Sequence, residues 1–381
     1  MNPRRYAVIA GGGTAGHVFV ALATGQALVE RGVGREEIEL VGSRRGQEAT
    51  LVGGDGFALS LLSGRGIVRR LGLGSQLGNL GALAGLGWAS LRALFILTRR
   101  RPRVVVSVGG YASVPASLAA VVLRVPLVLV NVDARPGLAH RVLGRFAAAS
   151  AVAFPGTHLR HPVLTGAPVR GDLAGVDRSP EGAGSARIAL GAPTDRKLVA
   201  VFGGSLGARR LNDAALALAD IYRARGELTL YHVSGPRNFE EVEAARARFP
   251  VPTEGDPPGL CYRLVPFEEN MAALYGAADV VVCRAGALTV AELALVGVPA
   301  VLVPLPGAPG DHQSTNAAAL VDAGAAVMLK DEACDGPRLA DVLNELLADP
   351  ARLLAMGRAA KSLGRPDAAD AVAALVQAHA R

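Results

Sequence analysis

The sequence predicts an α/β protein made of two tandem, doubly wound, Rossmann-like domains. Three observations predict it. Half of the 381 residues are apolar, only 4% are aromatic and 47 are glycine, a composition suited to helices packed closely on parallel strands. Short apolar runs alternate with helical patterns along the chain, the βαβ grammar of an open sheet. The same opening, an apolar strand, a glycine turn and a helix, occurs twice, in "AVIAGGGTAGHV" from Ala7 and "LVAVFGGSLGARRLN" from Leu198. The length supplies two domains of ordinary size, each with its own core.

In the first half, Tyr6–Ala10, Ile38–Val41, Val104–Val108, Leu127–Val130 and Ala151–Phe154 read as strands. The apolar run after "MNPRR" is too short for a signal peptide and reads as the first of them. The long apolar segment Leu80–Leu97 carries several glycines and Arg92. It reads as a buried or surface-lying helix rather than a spanning one. "PVLTGAPVRGDLAGV", from Pro162 to Val176, reads as an interdomain linker. The pattern then restarts, with strands at Leu198–Phe202, Thr229–Val233, Tyr262–Val265, Val280–Cys283, Ala300–Val303 and Ala326–Leu329. The expected domains are residues 1–168 and 169–365, with an amphipathic helix at 366–381 returning to the first. Tandem open sheets place ligands in a cleft at the carboxyl edges of their strands.

The formal net charge is +7, which suits anionic lipid or phosphorylated substrates. Nucleic acid is excluded as a partner, because there is no lysine tract and no basic stripe interleaved with aromatics. Cys261, Cys283 and Cys334 lack paired or metal-ligand spacing and read as reduced thiols. No cofactor or metal site is expected.

Three turns, at Gly11–His17, Gly109–Pro115 and Gly203–Ala208, each follow a strand and precede a helix. Glycine lets the backbone approach a ligand closely, and the N–H groups of the helix start then face an anion. None fits a dinucleotide fingerprint, since Ser43, Arg44 and Arg45 stand where a ribose-binding acid would be, and no phosphate-loop lysine is present. His17 at the mouth of the first turn is a candidate general base. In "CRAGALTVAEL" a small-residue turn opens a helix at Leu288, and Glu292 in its first turns is placed for ribose hydroxyls. "GDHQSTNA" adds Asp311, His312, Gln313 and Asn316 as polar groups suited to a sugar.

These motifs, with "SGRGIVRRL", "VGGYASVPASLAA", "ARPGLAHRVL" and "TGAPVR", occur in an order and spacing that resembles the MurG family over nearly the whole chain. That family transfers N-acetylglucosamine from UDP-N-acetylglucosamine to lipid I in peptidoglycan synthesis. The resemblance implies a glycosyltransferase B-type fold with an interdomain cleft, an acceptor and membrane-associated first domain, and a UDP-sugar-binding second domain. Carried over by position, Thr14, Ala15 and Gly16 would face substrate phosphates, and His17 would deprotonate the acceptor 4-hydroxyl. Asp133 would line the acceptor side. Arg170 would reach the donor, and Ser205 would contact its diphosphate. Phe267 and Glu268 would flank the uracil. Ala287, Leu288, Thr289, Val290 and Ala291 would hold the diphosphate and ribose, with Glu292 on the ribose and Gln313 on the N-acetylglucosamine.

The implied partners are UDP-N-acetylglucosamine, undecaprenyl-pyrophosphoryl-N-acetylmuramyl-pentapeptide, an anionic membrane surface and cell-wall synthesis proteins. The implied location is peripheral, on the cytoplasmic face of the membrane. There "GIVRRLGLGSQLGNL" would rest its Ile67, Val68, Leu71 and Leu73, ringed by Arg65, Arg69 and Arg70, on lipid. The chain departs from the family pattern at Val20, at Val130–Asp133, at Ala167 and at Leu206. The alternatives are a related transferase with another lipid-linked acceptor and a catalytically weakened UDP-sugar-binding paralogue.

Overall fold

Runs dominated by Val, Ile, Leu and Ala, whose few polar residues (Glu39, Ser107 and Ser150 among them) are buried with the rest, form strands covered on both faces. β1 (Ala7–Gly11), β2 (Ile38–Ser43), β4 (Val104–Gly109), β5 (Leu127–Asn131) and β6 (Ala149–Val152) are buried along their whole length. β3 (Ala58–Leu62) and β7 (Pro162–Leu164) complete a seven-stranded sheet as its edges, in the order β3-β2-β1-β4-β5-β6-β7. Every pairing in it is parallel. The computed structural model describes residues 4–44, 52, 55–62, 73–204, 207–247 and 259–381.

β7 corrects the sequence reading. The segment from Pro162 reads as a linker, yet its first three residues pair with β6. All three are exposed, so no hydrophobic signal marks them, and proline is tolerated because an edge strand can spare an N–H.

Helices α1 (Ala15–Glu30), α2 (Leu73–Arg100), α3 (Val114–Leu123) and α4 (Leu138–Leu143) connect these strands. α2 turns Ala89, Ala93 and Leu97 inward at helical spacing. Trp88, Leu91 and Phe95 on its other face are 67%, 61% and 65% exposed. Among the described residues no helix is long and apolar enough to cross a membrane. At the amino end of β2 the buried Glu39 takes three partners: Arg5 and Arg100, each at 2.9 Å, and the Ser60 hydroxyl at 2.7 Å. A buried carboxylate needs such company to offset its lost hydration.

The second unit repeats the design. β8 (Lys197–Phe202), β9 (Leu228–Val233), β10 (Cys261–Val265), β11 (Val280–Cys283), β12 (Ala300–Leu302) and β13 (Ala326–Met328) form a parallel sheet in the order β10-β9-β8-β11-β12-β13. Its helices are α5 (Pro180–Ala189), α6 (Arg209–Ile221), α7 (Phe239–Arg246), α8 (Met271–Ala277), α9 (Ala287–Val296), α10 (His312–Asp322), α11 (Gly336–Leu347) and α12 (Pro350–Ser362). The last helix, α13 (Ala368–His379), lies in the first unit. It buries Ala368, Val372, Ala373 and Val376 there, and Arg31, the C-cap of α1, holds Asp370 at 2.7 Å and Gln377 at 2.8 Å. The two units are thus Met1–Arg170 with Arg365–Arg381, and Gly171–Gly364. In each sheet the strand order reverses beside the first strand, between β1 and β4 and between β8 and β11. Ligands of open sheets bind at that switch point, outside the carboxyl ends.

Candidate active site

In the first unit two glycine turns leave the carboxyl ends of neighbouring strands, β1 and β4, and meet. Thr14 is the N-cap of α1 in an extended conformation, so Ala15, Gly16 and His17 are its first three residues. A helix start of this kind, at the carboxyl end of a strand, suits an anion. The Thr14 hydroxyl oxygen lies 2.9 Å from His17 Nδ1. If Nδ1–H donates to Thr14, Nε2 is left bare, as a base requires.

The opposite turn supplies Gly109 and Gly110, both with positive φ, at 98° and 74°. An alanine methyl at Gly109 would stand 3.1 Å from His17 Nε2, and one at Gly110 would collide with the Gly12 carbonyl oxygen. Glycine therefore does two things here. It admits a backbone shape that side chains disfavour, and it sets no side chain of its own against His17 Nε2.

A second histidine lies behind the first. His140 of α4 is 3% exposed, and the methyl space at Gly109 is 3.4 Å from its Cε1. Its tautomer follows from a chain of bonds. Asn131 Nδ2 donates to the Asp133 carbonyl at 2.6 Å, so Asn131 Oδ1 faces His140 Nδ1 at 3.2 Å and accepts from it. His140 Nε2 is then bare and accepts from the Ser107 hydroxyl at 3.2 Å. Burial, and then the nearby His17, push its pKa down to about 4.

His232 on β9 is a counterpart in the second unit. Asn212 Nδ2 donates to the Ser234 carbonyl, so Oδ1 takes His232 Nε2–H at 3.0 Å, and Tyr262 donates to Nδ1 at 2.9 Å. Burial alone pushes its pKa down to about 4.

Both histidines are depressed in the folded state, so their contribution is complete above the unfolded value near 6.5 and is lost as pH falls from there toward 4. Asp177 and Glu227 are held below ordinary carboxylate values by hydrogen bonds from Ser179 and Arg225 and stay charged through that window. Each unit should therefore lose about 2 kcal/mol between pH 7.5 and 5. Thermal unfolding at the two pH values measures this, and equal midpoints would contradict it.

In the second unit Gly286 is the N-cap of α9, with Ala287, Leu288 and Thr289 in its first turn. The macrodipole and free N–H groups there suit a diphosphate. Arg284, at the end of β11, donates to the Val303 and Pro304 carbonyls and pairs with Asp331 at 2.6 Å, which ties β11 to the chain leaving β12. Val290 is buried and Ala291 half-buried. Glu292 lies one turn further along α9, half-buried, and accepts from the Tyr275 hydroxyl at 2.7 Å.

After β12, Gln313 Oε1 accepts from the Leu305 N–H at 2.8 Å, and its NH₂ remains to donate. After β10, Phe267 is 46% exposed. Glu268 accepts from Tyr231 at 2.5 Å and from the Asn270 N–H at 2.7 Å, which commits its side chain and leaves its backbone for recognition.

The structure thus brings Thr14, Ala15, Gly16 and His17 together at one sheet edge, with Asp133 at the end of β5. Phe267, Glu268, Ala287–Glu292 and Gln313 share the carboxyl edge of the other sheet. Arg170 closes the first unit with its guanidinium 5.5 Å from the Phe19 ring of α1. Ser205 lies outside the described residues, as do Leu206 and the arginines at Arg65, Arg69 and Arg70. The sequence reading missed Ser107, Asn131, His140 and Tyr275. A polar residue in a strand or an apolar helix run was the available signal, but its partner comes from elsewhere in the chain.

Residues 7–152 match the glycosyltransferase family 28 N-terminal domain, and residues 198–372 match its C-terminal domain. A protein of Alkalilimnicola ehrlichii is 42% identical, with 98% of this chain and 99% of the relative covered. One from Acidothermus cellulolyticus is 40% identical over 98% and 97%. Both are named UDP-N-acetylglucosamine–N-acetylmuramyl-(pentapeptide) pyrophosphoryl-undecaprenol N-acetylglucosamine transferase. The crystal structure of MurG from Acinetobacter baumannii superposes with a TM-score of 0.74 at 28% identity, covering 99% of this chain and 100% of that one. The two doubly wound units are the B-type glycosyltransferase fold, and the chain belongs to glycosyltransferase family 28 and, within it, to the MurG family of N-acetylglucosamine transferases.

Proposed function

We propose that the protein is an inverting transferase that moves N-acetylglucosamine from UDP-N-acetylglucosamine to the 4-hydroxyl of undecaprenyl-pyrophosphoryl-N-acetylmuramyl-pentapeptide, converting lipid I to lipid II. One observation carries the reading. Two glycine turns meet beside His17, in a chain 40–42% identical over nearly its full length to relatives named for that transfer.

In this reading His17 Nε2 takes the proton of the acceptor hydroxyl, with Thr14 fixing the ring through Nδ1. The freed oxygen bonds to the anomeric carbon as the bond from that carbon to the diphosphate breaks, and the electron pair leaves on UDP. The α9 mouth at Ala287–Thr289, with Ser205 and Arg170, stabilises the charge that grows on the departing diphosphate. Glu292 reads the ribose, Phe267 and Glu268 the uracil, and Gln313 the acetamido sugar. Thr14–Gly16 and Asp133 serve the acceptor.

A peripheral position on an anionic, cytoplasmic membrane face fits α2. Its exposed Trp88, Leu91 and Phe95 stand among the exposed Arg92 and Arg99, the pairing of apolar and basic groups that interfacial helices use.

UDP release from UDP-N-acetylglucosamine, with and without a short-chain lipid I analogue, tests the function. UDP-glucose and UDP-galactose serve as competing donors. Acceptor-dependent release confined to the N-acetylglucosamine donor is expected. Donor binding with no acceptor-dependent release would leave a UDP-sugar site and remove the proposed transfer.

A further inference from the structure

α8 and α9 of the second unit share a buried contact. Tyr275 is fully buried, and its hydroxyl donates to Glu292 Oε2 at 2.7 Å. The tyrosine is held on several sides. Its ring stands edge-on to Phe202, with centroids 6.2 Å apart, and its carbonyl accepts from Arg178. The start of its helix is capped by Asn270 Oδ1, which accepts from Ala273 N–H at 2.9 Å. Glu292 by contrast is half-buried, on a long side chain that populates several rotamers unless something holds it.

A vicinal diol offers two O–H donors at a fixed spacing. A carboxylate meets both only when its plane is set. The phenol meets one lone-pair direction on Oε2, one of about four that a carboxylate has. Ordering Glu292 during folding removes that entropy cost from ligand binding. It also sharpens selection, because a sugar lacking one hydroxyl leaves an anchored acceptor unmatched, whereas a loose side chain turns elsewhere.

We propose that Tyr275 is a positioning residue that fixes the Glu292 carboxylate, so that the donor site selects a ribonucleoside diphosphate sugar over its 2′-deoxyribonucleoside counterpart. The proposal rests on Glu292 reading the ribose hydroxyls.

Calorimetric titration of the full chain with UDP and with 2′-deoxy-UDP tests it, in the wild type, Tyr275→Phe and Glu292→Ala. The wild type is expected to prefer UDP by about tenfold or more, and each variant to bring the ratio within about twofold. Tyr275→Phe should also raise KM for UDP-N-acetylglucosamine by about tenfold while kcat falls less than about threefold. Tyr275→Phe keeps the ring and its packing, and an affinity ratio within one preparation is insensitive to any unfolded fraction. If Glu292→Ala retains the wild-type ratio, the ribose role of Glu292 falls and this proposal falls with it. If Glu292→Ala loses the preference while Tyr275→Phe keeps it, the ribose role stands and the positioning role is overturned.

Discussion

His17→Ala should lower turnover by about 10²–10⁴-fold, the usual loss when a positioned general base is removed. UDP affinity should change by less than about twofold, because the proposed uridine contacts lie on another sheet. The size of the effect follows from the local geometry. The Thr14 hydroxyl meets the ring at Nδ1, and Gly109 sets no side chain against Nε2. His140 cannot substitute. It is buried, its Nε2 is already engaged by Ser107, and its pKa is held near 4. Single-turnover assays with UDP-N-acetylglucosamine and a lipid I analogue, beside UDP titrations, separate chemistry from binding. A matching loss in both, or normal turnover, removes the base assignment.

Gly110→Ala should be damaging without touching any reacting group. Its φ of 74° is costly for alanine, and the new methyl would run into the Gly12 carbonyl, which is backbone and has no rotamer to escape into. Strain of this kind is worth about 1–3 kcal/mol, and the turn must also move apart from its neighbour. A shift of about 1 Å at His17 would cost turnover on the order of 10²-fold. Melting curves and acceptor-dependent UDP release check the two parts. An unchanged midpoint with full activity would show that the turns do not depend on their close approach.

The strands buried on both faces were legible, because a short β-branched run such as Val104–Val108, ending in a glycine turn, favours a buried strand. The edge strands β3 and β7 were not, since all their residues but Leu62 are half-buried or exposed and their pairing comes from the sheet rather than from local preference. In the candidate site, glycine turns and a histidine at a helix mouth announce themselves locally. What faces them does not. That His17 sits against Gly109, that His140 lies behind it in a tautomer fixed by Asn131, and that Tyr275 holds Glu292 are pairings between separate elements. A sequence records such contacts only as a polar residue in an apolar setting, as with Tyr275 in "MAALYGAADVVVC".

The placement of α13 in the first unit has a consequence for biosynthesis. The ribosome delivers β1 to β7 and then all of residues 171–364 before the helix that covers part of that first sheet emerges. At about 5–20 residues per second, the intervening unit takes on the order of 10–40 s to make. During that interval the seat of Val372, Ala373 and Val376 stays open to water and to chaperones, while the second unit, continuous in sequence, can complete its own core. The inserted unit is thus free to mature first on the nascent chain, and its host closes only after α13 has emerged.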